Sequence, residues 1–371
     1  MLTGPQIIVL ATPVFFALIG IEWLVGRARG RDTYRLNDAL SSIGLGVMSQ
    51  IIGVFSALFT VAVYTLAFQH GALWRLPANA VWVWVVALVG YDFCYYWHHR
   101  LGHSVALLWA AHAVHHQSED YNLSTALRQT SSGWLVGWVF YLPMAALGVP
   151  PLVFGGVALI DLLYQYWVHT QQIGRLGWFD RWFCAPSNHR VHHAVNDAYL
   201  DKNFGGIFIV WDRLFGSFAP EDDAVPCVYG TRAPLRSWNP VRANLRLYEE
   251  LLRDSWRARA WGDKLRVWFM HPGWRPADVA QRWPRAAFDI DRIERFDPPM
   301  SRRTQALAAA LFVALLGATT FFLWNAHRLS LTRQAAAALA IVGGLALVGW
   351  LTGRSVFSRE TAAQGLRPRP E

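Results

Sequence analysis

Six of the chain's 13 histidines fall into two copies of one pattern, H-x-x-H-H: His112, His115 and His116, then His189, His192 and His193. On an α-helix, positions i, i+3 and i+4 share a face, so each triple can direct its rings at one point. His99 and His103 form an i, i+4 pair with the same property, and His169 ends an apolar run as a ninth member. Neutral imidazole binds iron, zinc and copper, and so many rings exceed the coordination sphere of one ion. The economical expectation is a two-metal cluster. Proton relay and plain packing are the alternatives, but adjacent protonated imidazoles repel one another and gain nothing from such density. His70, His271 and His327, each alone in its segment, are expected to be hydrogen-bonded core residues. So is His98, which lies about 100° around the helix from His99.

The elements that must position these rings are apolar. The chain of 371 residues is 54% hydrophobic and 16% charged, and its mean hydropathy is positive. This composition predicts an all-α polytopic membrane protein. Apolar windows near the length a bilayer requires run over 5–25, 41–68, 80–97, 305–325 and 334–352, with a shorter pair at 133–149 and 152–169 joined by Pro150 and Pro151. About seven hydrophobic segments result, the shorter pair either spanning or forming a re-entrant hairpin. Arg27, Arg29, Arg31 and Arg35 follow the first segment, whereas the loop 69–79 carries only Arg75. The positive-inside rule then makes the first loop cytoplasmic. Counting segments onward brings all nine histidines, the Arg-rich stretch 170–304 and the tail with Arg354, Arg359, Arg367 and Arg369 to the same side. The loop with Arg328 and Arg333 fits that count less well.

The organisation expected is an N-terminal transmembrane pair over 1–79, a metal domain over 80–220 and a basic, Trp-rich interfacial segment over 221–304. A C-terminal transmembrane pair over 305–355 and a cytoplasmic tail over 356–371 complete it. The first segment is too long for a cleavable signal peptide, and its basic residues follow rather than precede it. Cys94, Cys184 and Cys227 have no C-x-x-C spacing, which argues against a disulfide framework or a thiolate site. The net charge of +9 flanks apolar segments and comes with no nucleic-acid recognition motif, so anionic lipid is the expected counterpart. Within 240–270, Leu245, Tyr248, Leu251, Leu252 and Trp256 recur at helical spacing among Arg242, Arg246, Arg253 and Arg257. That pattern suits a helix in the membrane interface or one packed on the metal domain.

The ordered set H-x-x-x-H, H-x-x-H-H, H-x-x-H-H on a membrane chain resembles the fatty acid hydroxylase and sterol desaturase superfamily of membrane di-iron enzymes. Within it the text is most similar to the alkylglycerol monooxygenase branch, which cleaves glyceryl ethers. The resemblance rests on YDFCYYWHHRLGH (91–103), HAVHHQSEDYNLSTALRQ (112–129), LLYQYWVHT ending at Thr170, PSNHRVHHAVNDAYLDKNFGGIFIVWDRLFGSF (186–218) and HPGWRP from His271. It covers about residues 90–276. The family implies that His99, His103, His112, His115, His116, His189, His192 and His193 hold two iron ions, with His169 completing the set. It further implies O2 as co-substrate and a reduced pterin such as tetrahydrobiopterin, or a cytochrome- or ferredoxin-type donor, as the source of electrons. Two departures are visible. Ether-cleaving relatives tend to carry Glu where this chain has Ser104, and His where it has Asn188.

Around the cluster, Asn203 is expected to hydrogen-bond an iron-bound water or to cap a turn, and Asp92 or Asp161 to fix ring orientation. The polar run after the first triple offers Glu119, Asp120, Asn122, Arg128 and Gln129 as contacts for a lipid headgroup. No Rossmann fingerprint, cysteine quartet or C-x-x-C-H haem motif occurs, so electrons must come from outside. The chemistry expected is O2-dependent cleavage of a glyceryl ether lipid to aldehyde and glycerol product. Hydroxylation or desaturation of a fatty acyl, sterol or aminolipid substrate with a protein donor is the alternative. A histidine-rich metal transporter or sensor is a third reading, against which stands the clustering of ligands at segment ends rather than along a membrane path.

Overall fold

A computed structural model describes residues 3–363, and the tail at 356–371, with its basic side chains, lies outside the residues whose side chains are described. The architecture is all-α. Among the described residues the only β pairing consists of two isolated bridges, Phe183 with Phe208 and Ala194 with Tyr229. Ten helices carry the fold: α1 (Gly4–Ala28), α2 (Leu36–Gly71), α3 (Val81–Ser104), α4 (Ala106–His116), α5 (Pro151–Trp167), α6 (Pro186–His193), α7 (Pro240–Arg257), α8 (Trp261–Phe269), α9 (Arg302–Asn325) and α10 (Leu331–Ala363). Proline at the first helical position starts α5, α6 and α7, where its missing N–H removes a donor that would have no partner anyway. Asn239 caps α7 by accepting from the backbone of Val241 and Arg242.

Four helices are long and apolar enough to cross a membrane: α1, α2, α9 with its short extension to Arg328, and α10 as far as Gly353. The protein is an integral membrane protein on this count. These helices pack around Ile51, Phe312, Phe322, Ile341 and Leu345 and leave large apolar side chains uncovered mid-helix, Leu58 at 77% exposure among them. Gln6 Nε2 donates to the carbonyl of Trp324, so the start of α1 adjoins the end of α9. The end of α1, the start of α2 and the start of α9 therefore share one end of the bundle.

The third window is a single helix, α3, that continues beyond the apolar stretch to Ser104. The fourth is not. Residues 133–146 break into two 3₁₀ turns and a five-residue helix, yet they still reach the far connection, where Leu73 N donates to Ala146 O and Leu76 N to Gly148 O. Gly148 makes the reversal at φ +86, with the Trp74 carbonyl 2.1 Å from where a Cβ would sit. No other residue fits there. α5 then returns, and His169 follows its last turn. A second core of Tyr64, Val83, Met144, Val153 and Val157 binds this pair to α2 and α3.

Candidate metal centre

The nine histidines come from the ends of four helices. His99 and His103 lie in the last turns of α3, the first triple closes α4, the second closes α6, and His169 stands two residues beyond α5. Helix C-termini carry partial negative charge, which favours a cation where they meet. The rings sort into two groups, His99, His103, His112, His116 and His192 in one and His115, His169, His189 and His193 in the other. The ligand atoms of each group lie within 4.8 Å of one another. Each triple is divided between the two groups.

Hydrogen bonding fixes the tautomers. Nδ1 of His99, His115, His169 and His192 lies 2.8, 2.9, 2.8 and 3.0 Å from the carbonyl oxygens of Phe204, Arg128, Gln165 and Lys202. Those nitrogens donate, so in a neutral ring each Nε2 is a bare lone pair. His115 Nε2 and His169 Nε2 nonetheless stand 3.1 Å apart, two acceptors with no hydrogen between them. Nε2 of His103 and of His192 is buried without any partner. Converging lone pairs in a dry site are unfavourable unless a cation lies between them, so these residues fit a metal-binding role on their own geometry.

Burial pushes the ring of His115 down to about 4. His189 and His193 are held well below the usual histidine range by burial and by their neighbouring rings. The unfolded chain takes up protons below about pH 6.5 that the folded site refuses, so stability falls with pH between about 6.5 and 4. Chelator-stripped protein should therefore show a lower unfolding temperature at pH 5 than at pH 7. An unchanged midpoint would mean the rings are hydrated rather than packed.

A cavity of about 340 Å³ opens onto the cluster. His103, His116, His192 and His193 reach it, while Ala106, Trp109 and Ala113 of α4 and Leu247 and Leu251 of α7 form apolar walls. Its polar side is an ion-pair lattice. Arg275 grips Asp254 with two bonds of 2.7 and 3.0 Å, Arg285 reaches Asp254 at 3.2 Å and Glu250 at 3.4 Å, and Arg246 meets Glu250 at 2.9 Å. The walls suit an alkyl chain and the lattice a polar group.

A fatty acid hydroxylase family model matches residues 84–217, a stretch that contains all nine histidines. The chain is 39% identical over 273 residues to human alkylglycerol monooxygenase, across 73% of this chain and 61% of the human protein. To the alkylglycerol monooxygenase of Xenopus tropicalis it is 36% identical over 313 residues, across 84% of this chain and 70% of that relative. The chain belongs to the alkylglycerol monooxygenase family. It is also 27% identical over 200 residues to the ornithine lipid hydroxylase OlsE of Rhizobium tropici. No solved structure matches it. At 61%, the chain spans less than two thirds of the human member's length.

Several residues expected around a site of this family lie elsewhere. Asn203, at φ +59, directs its amide to the carbonyls of Asn188 and Ala219 and accepts from Ala219 N, so its side chain clasps a loop. Asp92 accepts from Ile207 N, Phe208 N and Trp211 Nε1, and Asp161 from Gln165. Asp92 thus braces the 205–211 loop and Asp161 a side chain of its own helix; four of the rings are oriented by backbone carbonyls instead. Ser104 bonds back to Arg100 O and Asn188 to Asp180 O and Phe183 O, so both departures fill local structural roles.

None of the five expected headgroup residues lines the cavity. Asp120 holds Arg35 at 2.9 Å, Glu119 accepts from Phe296 N, and Asn122 caps the turn Leu123–Ala126. Gln129 bonds Ala126 O. Arg128 is 1% exposed and fixes the loop through Val114 O, Ser41 and Ser42. The polar run is a brace because it crosses from the cluster back to the start of α2. His70, His271 and His327 are exposed rather than core, whereas His98 does pack, against Phe140.

The spacing of histidines missed three contributors. Asp201 lies 3.4 Å from His103 Nδ1 and 3.2 Å from His271 Nε2. Glu22, inside spanning helix α1, accepts from Leu123 N at 2.8 Å and Thr170 Oγ1 at 2.5 Å, tying both loops beside the cluster to the bundle. The Arg246–Glu250–Arg285–Asp254–Arg275 lattice is the third. An acid within a 21-residue apolar window was the available signal for Glu22.

Proposed function

We propose that this chain is an iron-dependent membrane monooxygenase that cleaves glyceryl ether lipids, using O2 and electrons from a reduced pterin or a cytochrome- or ferredoxin-type donor. The observation that carries the reading is the set of nine clustered rings, arranged as five and four beneath an amphiphile-sized cavity, in a chain of the alkylglycerol monooxygenase family. Two irons held by these rings would supply the oxidising power that no side chain possesses toward an unactivated C–H bond. The protein's part is placement. Carbonyls and Asp201 fix the rings, Ala106, Trp109, Ala113, Leu247 and Leu251 lay the alkyl chain against the cluster, and Arg246 and Glu250 receive the glycerol hydroxyls.

Insertion of one oxygen atom at the carbon beside the ether oxygen yields a hemiacetal. It collapses to a fatty aldehyde and glycerol, while the second oxygen atom leaves as water with two electrons and two protons from the donor. The cytoplasmic side is favoured for this chemistry, because the loop with Arg27, Arg29, Arg31 and Arg35 lies at the cluster's end of the bundle. Arg29 donates to Gln172 O at 2.6 Å and Arg35 to Asp120, and such loops stay inside.

The test is release of fatty aldehyde from an alkylglycerol by membranes containing the protein, supplied with O2 and tetrahydropterin. Aldehyde is expected. A preparation that holds two irons yet yields none, and instead hydroxylates an ornithine lipid or a fatty acyl chain with a protein donor, would move the assignment to the acyl-hydroxylase reading favoured by the likeness to OlsE.

A further inference from the structure

We propose that the outward faces of α7 and α8 are seated in the headgroup boundary of an anionic leaflet, the same membrane that α1, α2, α9 and α10 cross. This concerns a surface rather than the reaction, and it stands whatever substrate the cavity takes.

α7 has two faces. Leu247, Glu250, Leu251 and Asp254 line the cavity. Leu245, Leu252 and Trp256, at 48%, 61% and 81% exposure, project from the opposite side, roughly 180° around at 100° per residue. α8 repeats the pattern at every fourth residue, with Trp261 81%, Leu265 66% and Phe269 64% exposed. Six large apolar side chains on two consecutive amphipathic helices exceed the scattered apolar exposure of an ordinary surface.

Position and charge select lipid as what covers them. α7 begins at Pro240 in a cleft walled by Asn37 and Ser41 of α2 and by Leu345 and Gly349 of α10. A Cβ on Gly349 would lie 2.6 Å from the Trp238 carbonyl. These residues lie near the start of α2 and near the end of the apolar part of α10, the level at which spanning helices meet headgroups. The exposed charges of the two helices and their connection are Arg242, Arg253, Arg259 and Arg266 against Glu249. Cationic side chains beside tryptophan and leucine match an interface in which guanidinium groups reach phosphates and rings sit among the upper acyl carbons. Seating α7 there puts the cavity on its inner face within reach of a chain anchored in the leaflet, without passage through water.

The test uses the full chain in proteoliposomes, with p-benzoylphenylalanine placed at Trp261, Phe269 or Asp197, the last being 92% exposed on a polar loop. Crosslinking to an alkyne-tagged phospholipid is expected to be several-fold stronger at 261 and 269 than at 197. It should also be stronger in phosphatidylcholine–phosphatidylglycerol vesicles than in phosphatidylcholine alone. Yields equal to that at 197, or crosslinks to another polypeptide in place of lipid, would overturn the proposal. The unaltered protein gives a second reading through hydroxyl-radical footprinting in the same vesicles. Trp256 and Trp261 should label as slowly as Phe321, which is 70% exposed within α9. Labelling as fast as that of the exposed His271 would reject lipid contact.

Discussion

Replacement of His192 by alanine is expected to abolish ether cleavage and to remove metal from the five-histidine group. His192 is 4% exposed, its Nδ1 is held by the Lys202 carbonyl and its Nε2 has no partner within the protein. The variant therefore loses a preoriented donor and gains a dry hole the size of an imidazole. Elemental analysis of the purified protein should fall from about two irons per chain toward one or fewer, and aldehyde release should fall to background. Free imidazole should restore part of both, since it can occupy the hole. His70→Ala, at an exposed position outside the cluster, should change neither. Full metal content together with lost activity in His192→Ala would mean that this ring acts on substrate and does not hold an ion.

The second large effect is expected at Asp201. Its carboxylate faces Nδ1 of His103, the one ring in the five-membered group with a carboxylate beside it. Partners of this kind usually contribute about 10–100-fold to metal affinity or activity. Asp201 also sits at φ +55, a conformation that asparagine tolerates and alanine resists. Asp201→Asn should thus lower metal affinity within that range at nearly unchanged unfolding temperature, whereas Asp201→Ala should lower both. Competition with a chromogenic chelator measures the first and a thermal melt the second. Equal metal affinity in Asp201→Asn and the parent would reduce the residue to a turn former.

How much of this was legible in the sequence depends on range. Ring placement follows from i, i+3 and i+4 spacing, a local property, and the nine residues do converge. The long apolar helices could be read for the same reason, since a span is defined by its own twenty residues. Residues 133–149 were not, because their apolar content satisfies a window while Gly133, Gly137 and Pro143 break the helix into turns. The ring-orienting groups were invisible for a different reason. They are backbone carbonyls of Phe204, Arg128, Gln165 and Lys202, and a carbonyl leaves no mark on residue identity. Proximity in sequence to a triple also misled for Glu119 to Gln129, whose polarity serves contacts with Arg35, Ser41 and Phe296 more than 80 residues away. The cavity's charged wall comes from residues 246–285, which read as interfacial because only one face of α7 can dominate a linear pattern.

The division of each triple between the two groups has a consequence for how the centre fills. His112 and His116 of α4 fall in one group and His115 in the other, and α6 divides His192 from His189 and His193 in the same way. On the two-iron reading proposed above, an ion held by either group would engage donors of both helices and so fix most of the other group's rings as well. Loading on that reading would be cooperative: half-filled protein would be the scarce species, and the population would divide between empty and complete molecules.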